Sequence, residues 1–369
     1  MKPYAQLDIG KVKVFPLVSR RSLSEVNALM VDPEAPLQPI SENSSARIRD
    51  CADKIREAIK RRAAVMLIYG AHLVKNGASL IVQELIRSGA VNHLATNGAG
   101  TIHDWEFAWF GQSTESVADN VLTGTFGTWD ETSRNIHIAL LAGGTRGEGY
   151  GQSLGRLIHE EGVEIPPAAE LSKLIVNDPN HPLTAARAEL LAAINDHRLP
   201  SGWYALPHRW KGSSILGEAA RLNVPLTVHP GIGYDIISNH PMFNGGAIGR
   251  AAGIDFKVFG AAVSNLDGGV VLSVGSAIMG PQVFEKSLSC VNNLRIQRGE
   301  PIIRDHSIYV VDLQDGGNWD WTRGEPPKDN PAYYLRFCKS FSRMGGAMHY
   351  LQCDNLAFLH HLYQELKKP

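Results

Sequence analysis

The chain has 369 residues, of which 44% are hydrophobic and 20% charged, a composition typical of a globular protein rather than a disordered or fibrous one. Lys and Arg number 36 against 37 for Asp and Glu, so the net charge of -1 provides no overall field to hold nucleic acid or an anionic membrane. We expect a cytoplasmic protein, because no stretch is apolar for long enough to cross a bilayer and the amino end lacks a signal-peptide pattern.

An irregular amino-terminal arm is predicted for residues 1–44. It contains the turn-rich segment 32–36 and closes with polar residues over 41–45 that can cap a helix. The predicted helix covers residues 46–62. We assign residues 45–369 to a single α/β domain.

Short apolar runs follow, each ending in glycine or a polar turn and each succeeded by a helical pattern, which is typical of βαβ units. Because these runs are apolar without alternation, they predict a parallel sheet with helices on both faces, as in a Rossmann-like fold. Residues 164–200 are interpreted as an insertion that covers the domain. The predicted strands are 64–69, 91–95, 136–141, 225–228, 256–261, 269–274 and 308–313.

Glycine is frequent in this chain, with 36 residues, and several glycines stand directly after predicted strands. Backbone N–H groups and helix N-termini bind phosphate at the carboxyl ends of parallel strands, so this placement predicts a nucleotide site. No turn completes the GxGxxG fingerprint, and turn glycines of a fold without a ligand are the alternative. The glycines concerned lie at Gly70, Asn97-Gly98-Ala99-Gly100, His229-Pro230-Gly231-Ile232-Gly233 and Val274-Gly275-Ser276.

Two further patterns carry less weight. Residues 151–155 match GxSxG, but the segment before them, residues 143–150, is rich in glycine and does not have the pattern of a strand. The plain start of a helix is therefore favoured over a hydrolase nucleophile at Ser153. The 14 histidines include no HExxH pair, and the four cysteines are scattered, so no metal site is predicted.

The carboxyl-terminal third concentrates polar chemistry. Its last predicted strand runs into a loop with two carboxylates and two indoles, which suits a cation by charge and by cation–π contact: Asp315, Trp319, Asp320 and Trp321. A helix predicted from Pro331 carries Tyr333, Phe337 and Lys339. A lysine that is desolvated beside aromatic rings can act as a nucleophile, and the alternative is a solvated helix lysine.

These segments, in this order, resemble deoxyhypusine synthase, the NAD-dependent enzyme that moves an aminobutyl group from spermidine to a protein lysine. Residues 69–77 and 91–104 are similar to that family's first cofactor strand, helix and glycine turn, and the resemblance is collinear over residues 64–367. Residues 230–235 resemble its Pro-Ala-Leu-Thr-Asp turn, and residues 351–356 resemble its last cofactor turn. The family's catalytic lysine lies eight residues after a proline, as Lys339 does after Pro331.

The resemblance implies a homo-oligomer that binds NAD and carries an aminoalkyl group as an imine on a catalytic lysine, Lys339. The group would pass from a polyamine-like donor to an amine acceptor, of which a protein lysine is one. The resemblance assigns substrate contacts to Asp315, Trp319, Asp320, Tyr333 and Phe337. It assigns cofactor contacts to His72, Asn97, Gly98, Ala99, Asp104, Asp235, Gly275, Asp354 and Asn355.

The substrate side departs from that family's pattern. Residues 275–281 lack the family's paired histidines, and His103 precedes Asp104 where some members have a second acid. Tyr333 and Phe337 replace a glutamate and a tryptophan. Two alternatives to the transferase therefore stay open: an NAD-dependent dehydrogenase of another amine or alcohol, and a non-catalytic NAD-binding regulatory protein.

Overall fold

The computed structural model describes residues 4–368, so the first three residues of the predicted arm and the last residue of the predicted domain lie outside the described residues. The strands of the described part are short and separated by helices. They are β1 (Ser24–Glu25), β2 (Val65–Tyr69), β3 (His93–Asn97), β4 (Gln112–Ser113), β5 (Gly162–Ile165), β6 (Gly202–Ala205), β7 (Leu226–His229), β8 (Val270–Val274), β9 (Ser307–Asp312) and β10 (Ala347–Gln352).

The helices fill the connections between these strands. They are α1 (Val26–Leu29), α2 (Glu42–Lys60), α3 (Ala71–Lys75), α4 (Ser79–Arg87), α5 (Gly98–Phe110), α6 (Val117–Thr123), α7 (Asp130–Gly144), α8 (Tyr150–Glu160), α9 (Ala168–Asn177), α10 (Thr184–His197), α11 (Ile215–Leu222), α12 (Gly245–Ser264), α13 (Met279–Gln297), α14 (Arg336–Ser342) and α15 (Asn355–Leu366). None of these helices combines the length and apolarity that a bilayer crossing requires.

A parallel sheet of six strands forms the centre, in the order β10-β9-β8-β2-β3-β7. If these six strands are numbered by their place in the chain, the order reads 3-2-1-4-5-6, which is that of doubly wound dinucleotide-binding folds. The predicted Rossmann-like fold is confirmed. The remaining strands form two antiparallel pairs, β1 with β4 and β5 with β6.

Alternate side chains of β2 enter two different cores, which shows that both faces of the sheet are covered. Val65, Leu67 and Tyr69 pack with residues of α2, α4 and α15, while Met66 and Ile68 pack with residues of α12, α13 and α14. All five residues of β2 are buried, as are all five of β8. This two-sided burial explains the continuous apolar runs in the sequence.

Two of the predicted strands are wrong. Residues 136–141 lie within α7, and residues 256–261 lie within α12. Twelve of the fifteen residues of α7 are buried, so the helix shows no polar face in its sequence. In α12 the buried positions include 251, 255, 259 and 263, a helical spacing that a window of six residues is too short to reveal.

The arm is more ordered than predicted. Its β1 pairs with β4, and Ser41 caps α2 by accepting a hydrogen bond from Ser44 N at 3.0 Å, so the helix begins at Glu42 rather than at residue 46. The predicted insertion, 164–200, contains α9 and α10. The GxSxG segment forms the first turns of α8, where Ser153 is buried and donates to the Gly149 carbonyl at 2.6 Å. This serine is a helix residue, not an exposed nucleophile.

Candidate functional site

The chain turns in opposite directions after β2 and after β8, which are neighbours at the centre of the sheet. In folds of this order the ligand crevice lies where these two carboxyl ends meet. Gly70 follows β2, and its N–H donates to the Val274 carbonyl at 3.4 Å. A Cβ on Gly70 would overlap the carbonyl oxygen of Gly275, which itself has a φ of +60°. Both turns therefore require glycine.

Asn355 brings an unused hydrogen-bonding group to this crevice. Its side-chain amide lies against Gly275, where a Cβ would overlap Asn355 Nδ2. Its Oδ1 is buried and has no hydrogen-bond partner among residues 4–368. A buried acceptor without a partner is costly unless a ligand or a water satisfies it, so this atom is available to a donor from either. The neighbouring Asp354 caps α15 by accepting from Ala357 N at 3.0 Å.

A second cluster of the predicted residues forms around the start of α5. Asn97 Oδ1 accepts from Gly100 N at 2.9 Å and so caps the helix. Asp235, from the loop after β7, lies against Gly98 and accepts N–H groups of Gly231, at 2.8 Å, and of Ala99. Burial raises the pKa of Asp235 to about 6, although these two hydrogen bonds lower it. The carboxylate is consequently ionised at neutral pH and protonated in mild acid.

A cavity of about 220 Å³ lies beside this cluster. It is smaller than the roughly 300–1,000 Å³ usual for drug-sized ligands, so it suits a small molecule. Ala99, Asp235 and residues from the arm, α3, α5 and the loop after β4 line it. Those that bear on chemistry are Arg20, Lys75, His103, Glu106 and Glu115.

A buried hydrogen-bonded network forms part of the cavity wall. Glu106 receives both guanidinium N–H groups of Arg20 at 2.8 Å each, together with the hydroxyls of Ser113 at 2.6 Å and Thr132 at 2.8 Å. Since Ser113 donates to Glu106, its oxygen accepts from His103 Nδ1 at 2.7 Å. This assignment leaves His103 Nε2 as the acceptor of the neutral ring.

His103 is held in its neutral form. Burial lowers the pKa of His103 to about 4, and the charges of Lys75, Arg20 and His72 lower it further, while Glu106 raises it. The imidazole therefore offers a neutral hydrogen-bonding group at physiological pH. His72, which the sequence analysis placed in the cofactor site, is an exposed residue of α3.

Asp104 does not join the other predicted cofactor residues. Its carboxylate is buried and accepts from Ser214 Oγ at 2.5 Å, Ile215 N at 2.8 Å and Leu216 N at 3.3 Å, and so caps α11. Burial raises the pKa of Asp104 to about 6, while these three bonds lower it. The resemblance gave Asp104 a cofactor role, whereas in the structure its oxygens accept hydrogen bonds at the start of a helix.

The predicted catalytic lysine lies on α14. Lys339 Nζ is 3.4 Å from the Glu325 carboxylate and 3.6 Å from the centroid of the Tyr333 ring. The amine is thus engaged by an acid and an aromatic ring, whereas imine formation requires it to attack a substrate carbon. Of the predicted substrate residues, Tyr333 contacts the lysine amine, and Phe337 is buried with its ring tilted against Tyr350 at 6.4 Å.

The carboxylate loop forms hydrogen bonds within itself. Asp315 accepts from Gly317 N at 2.9 Å, and Asp320 accepts from Thr322 N at 3.1 Å. Trp319 Nε1 donates to the Gly324 carbonyl at 2.9 Å. These contacts shape local turns and do not direct the loop's polar groups to Lys339.

Sequence reasoning missed Arg20, Lys75 and Glu106. Arg20 reaches the cavity because the arm folds onto α5, and no residue spacing in the nearby sequence predicts that contact. Lys75 lies inside residues 69–77, which resemble the first cofactor segment, and Glu106 lies two residues after the second such segment, 91–104. Neither was singled out, because a lone charge on a helix is usually solvated. A further cavity, lined by Arg156, Leu226 and Asp255 among others, lies at the start of β7 and so at the opposite edge of the sheet.

Comparison with known proteins finds weak similarity to solved structures and shows no family for the chain. No family model and no curated protein matches it. Unliganded AgrE is 14% identical, with a TM-score of 0.44, over 90% of this chain and 34% of AgrE. ArgZ, an arginine dihydrolase from the ornithine–ammonia cycle in cyanobacteria, is 12% identical, with a TM-score of 0.41, over 88% of this chain and 33% of ArgZ.

A LOR/SDH protein from Methanococcus maripaludis S2 is 13% identical, with a TM-score of 0.42, over 96% of this chain and 76% of that protein. AgrE is also known in a ternary complex with ornithine and NAD+. The chain spans about one third of the length of AgrE and of ArgZ. At these identities and scores the similarity describes the arrangement of elements and does not extend to the site.

Proposed function

We propose that the protein is an NAD-dependent dehydrogenase of a small amine or amino acid, the second of the functions that the sequence left open. The observation that carries the proposal is the crevice between β2 and β8, where Gly70, Gly275 and the unsatisfied Asn355 Oδ1 meet. The strand order places this crevice at the switch point of a dinucleotide-binding sheet.

NAD fits the chemistry of these residues. The two glycine turns lie close together at the switch point, and Asn355 Oδ1 beside them would accept from a hydroxyl or amide of the cofactor. Asn97, Gly98 and Ala99 lie at the end of the neighbouring strand β3 and would extend the cofactor surface. When bound, NAD supplies a hydride acceptor.

The residues around the cavity would handle the substrate. Asp235 is ionised at neutral pH and can accept a proton from a substrate ammonium group, which must lose a proton before its carbon–nitrogen bond is oxidised. His103 contributes a neutral ring fixed by Ser113. The Arg20–Glu106 pair holds this wall rigid without presenting a net charge.

The transferase is the second candidate, and the position of Lys339 eight residues after Pro331 favours it. The contact with Glu325 opposes it, since it engages the amine that would have to attack the substrate. A regulatory protein that binds NAD without chemistry is the third. Oligomerisation stays a prediction from the resemblance.

One assay separates the three. The protein is incubated with NAD and a panel of amines and amino acids, NADH is followed by absorbance, and the mixture is treated with borohydride and mapped by mass spectrometry. NADH formation without an adduct on Lys339 supports the dehydrogenase. An adduct on Lys339 supports the transferase instead, and NAD binding with neither outcome leaves the regulatory protein. Asp235→Asn should abolish NADH formation, whereas Asp329→Asn, at an exposed aspartate, should not.

A further inference from the structure

The acids that line the cavity differ in whether their charge is already balanced. Glu106 is neutralised by Arg20 and also receives two hydroxyl donors. Glu115 Oε2 accepts from Asn120 Nδ2 at 2.5 Å, and Glu115 Oε1 accepts from Gly127 N at 3.1 Å. Glu106 therefore has a charged partner, whereas the donors to Glu115 are neutral. Asp235 likewise has only backbone N–H donors, so neither its charge nor that of Glu115 is balanced by a cation of residues 4–368.

Lys75 is the corresponding positive group. It is the last residue of α3, is partly buried, and lines the same cavity as Asp235 and His103. Within the described part of the chain it forms no ion pair with a carboxylate. Arg20, the other cation on this wall, forms a salt bridge with Glu106. Among the described residues, the cavity therefore presents one cation, Lys75, and two acids, Asp235 and Glu115, that lack a charged partner.

A charge without a partner at the wall of a small cavity selects a ligand of the opposite charge. A polyamine offers cations alone, so it would satisfy Asp235 but would bring a like charge towards Lys75. An amino acid carries a carboxylate and an ammonium group on the same carbon and would offer the first to Lys75 and the second to Asp235.

We infer that this cavity is the substrate pocket, that Lys75 binds the substrate carboxylate and that Asp235 receives its ammonium group, so the substrate is a small amino acid rather than a polyamine. The inference rests on the proposed function and specifies its substrate class. It also assigns Lys75 a specificity role that neither the glycine turns nor the resemblance provides.

Two pairs of probes isolate the carboxylate. L-Ornithine and putrescine differ only in that group, and L-lysine and cadaverine repeat the comparison with one more methylene. Affinities are measured by calorimetry with and without saturating NAD, on the wild type, Lys75→Met, Lys75→Arg and Lys257→Met. Lys257 is an exposed lysine on α12 and serves as the matched control.

The wild type and Lys257→Met should bind each amino acid at least about tenfold more tightly than its amine. Lys75→Met should lose that preference, and Lys75→Arg should retain most of it, with thermal unfolding unchanged in all variants. Equal or tighter binding of the amines by the wild type overturns the inference, as does a preference that survives in Lys75→Met. Absence of binding by all four probes overturns it as well. Failure of NAD itself to bind is a separate result, which counts against the proposed function.

Discussion

Arg20 and Glu106 form a two-pronged ion pair, with both N–O distances at 2.8 Å and both side chains 1% exposed. The pair ties the amino-terminal arm to α5. Removing one partner leaves a buried, uncompensated charge, so Arg20→Met should lower the free energy of unfolding by about 3–5 kcal/mol. The double variant Arg20→Met/Glu106→Gln should recover part of that loss. Urea unfolding measures both, and a loss for Arg20→Met similar to that of a surface substitution would contradict the assignment.

Asp235 should make both stability and activity depend on pH. Its pKa of about 6 in the folded protein is above the usual 3.8 of an aspartate, so the folded state binds this proton more tightly than the unfolded chain does. The group therefore favours the folded state below about pH 4, and this contribution is lost as pH rises to about 6. The wild type should lose stability over that interval relative to Asp235→Asn, whose side chain does not titrate.

Activity should show the opposite trend, because the proposed proton acceptor is the ionised carboxylate. NADH formation by the wild type should fall as the pH is lowered through about 6. A pH–rate profile with an amino acid substrate measures this. The profile should be followed from about pH 5 to about pH 8, a range that extends roughly one to two units to either side of the pKa of Asp235. A flat profile over this range would exclude Asp235 as the proton acceptor.

Asp104 should matter for stability and not for cofactor affinity. Asp104→Ala removes three hydrogen bonds at the start of α11 and should cost about 1–3 kcal/mol of unfolding free energy. Asp104→Asn keeps one acceptor and should cost less. Calorimetric titration with NAD on both variants is the check. A weakened NAD affinity with stability unchanged would return Asp104 to the cofactor site.

Lys339 should carry no substrate adduct. Its amine is already engaged by the Glu325 carboxylate and by the face of the Tyr333 ring, so it is not directed at a substrate. Incubation with NAD and spermidine, followed by borohydride, should leave the peptide that contains Lys339 at its unmodified mass. Lys339→Met should retain NADH formation with an amino acid. An aminoalkyl adduct on Lys339 would contradict the dehydrogenase proposal and support the transferase.

The sequence predicted best those elements whose environment is uniform. The strands β2, β8 and β9 lie inside the sheet and are mostly apolar, so the sequence predicts them. The edge strand β10 is not predicted: the resemblance placed a cofactor turn at residues 351–356, and only two of the six residues of β10 are buried. Two segments predicted as strands are helical for different reasons. Most residues of α7 are buried, so its sequence lacks a polar face, and the six residues considered in α12 are too few to show its helical spacing.

Some contacts of the candidate site follow from a general rule of the fold, and others do not. The proximity of Asp235 to Gly98 and of Asn355 to Gly275 follows from the rule that parallel strands end at one edge. The contribution of Arg20 follows from no such rule, since it depends on how the arm returns to α5. The hydrogen bonds of Asp104 to the start of α11 could not be predicted from the sequence either, because its partner Ser214 lies 110 positions away in the chain.

The central claim, that the crevice between β2 and β8 binds NAD through Asn355, is tested most directly by calorimetric titration of NAD into the wild type and Asn355→Ala. Asn293→Ala, an exposed asparagine on α13, is the matched control. The wild type and the control should bind NAD, and Asn355→Ala should bind about tenfold more weakly, the loss expected for one hydrogen bond. No binding by the wild type, or equal affinity in all three proteins, would contradict the claim.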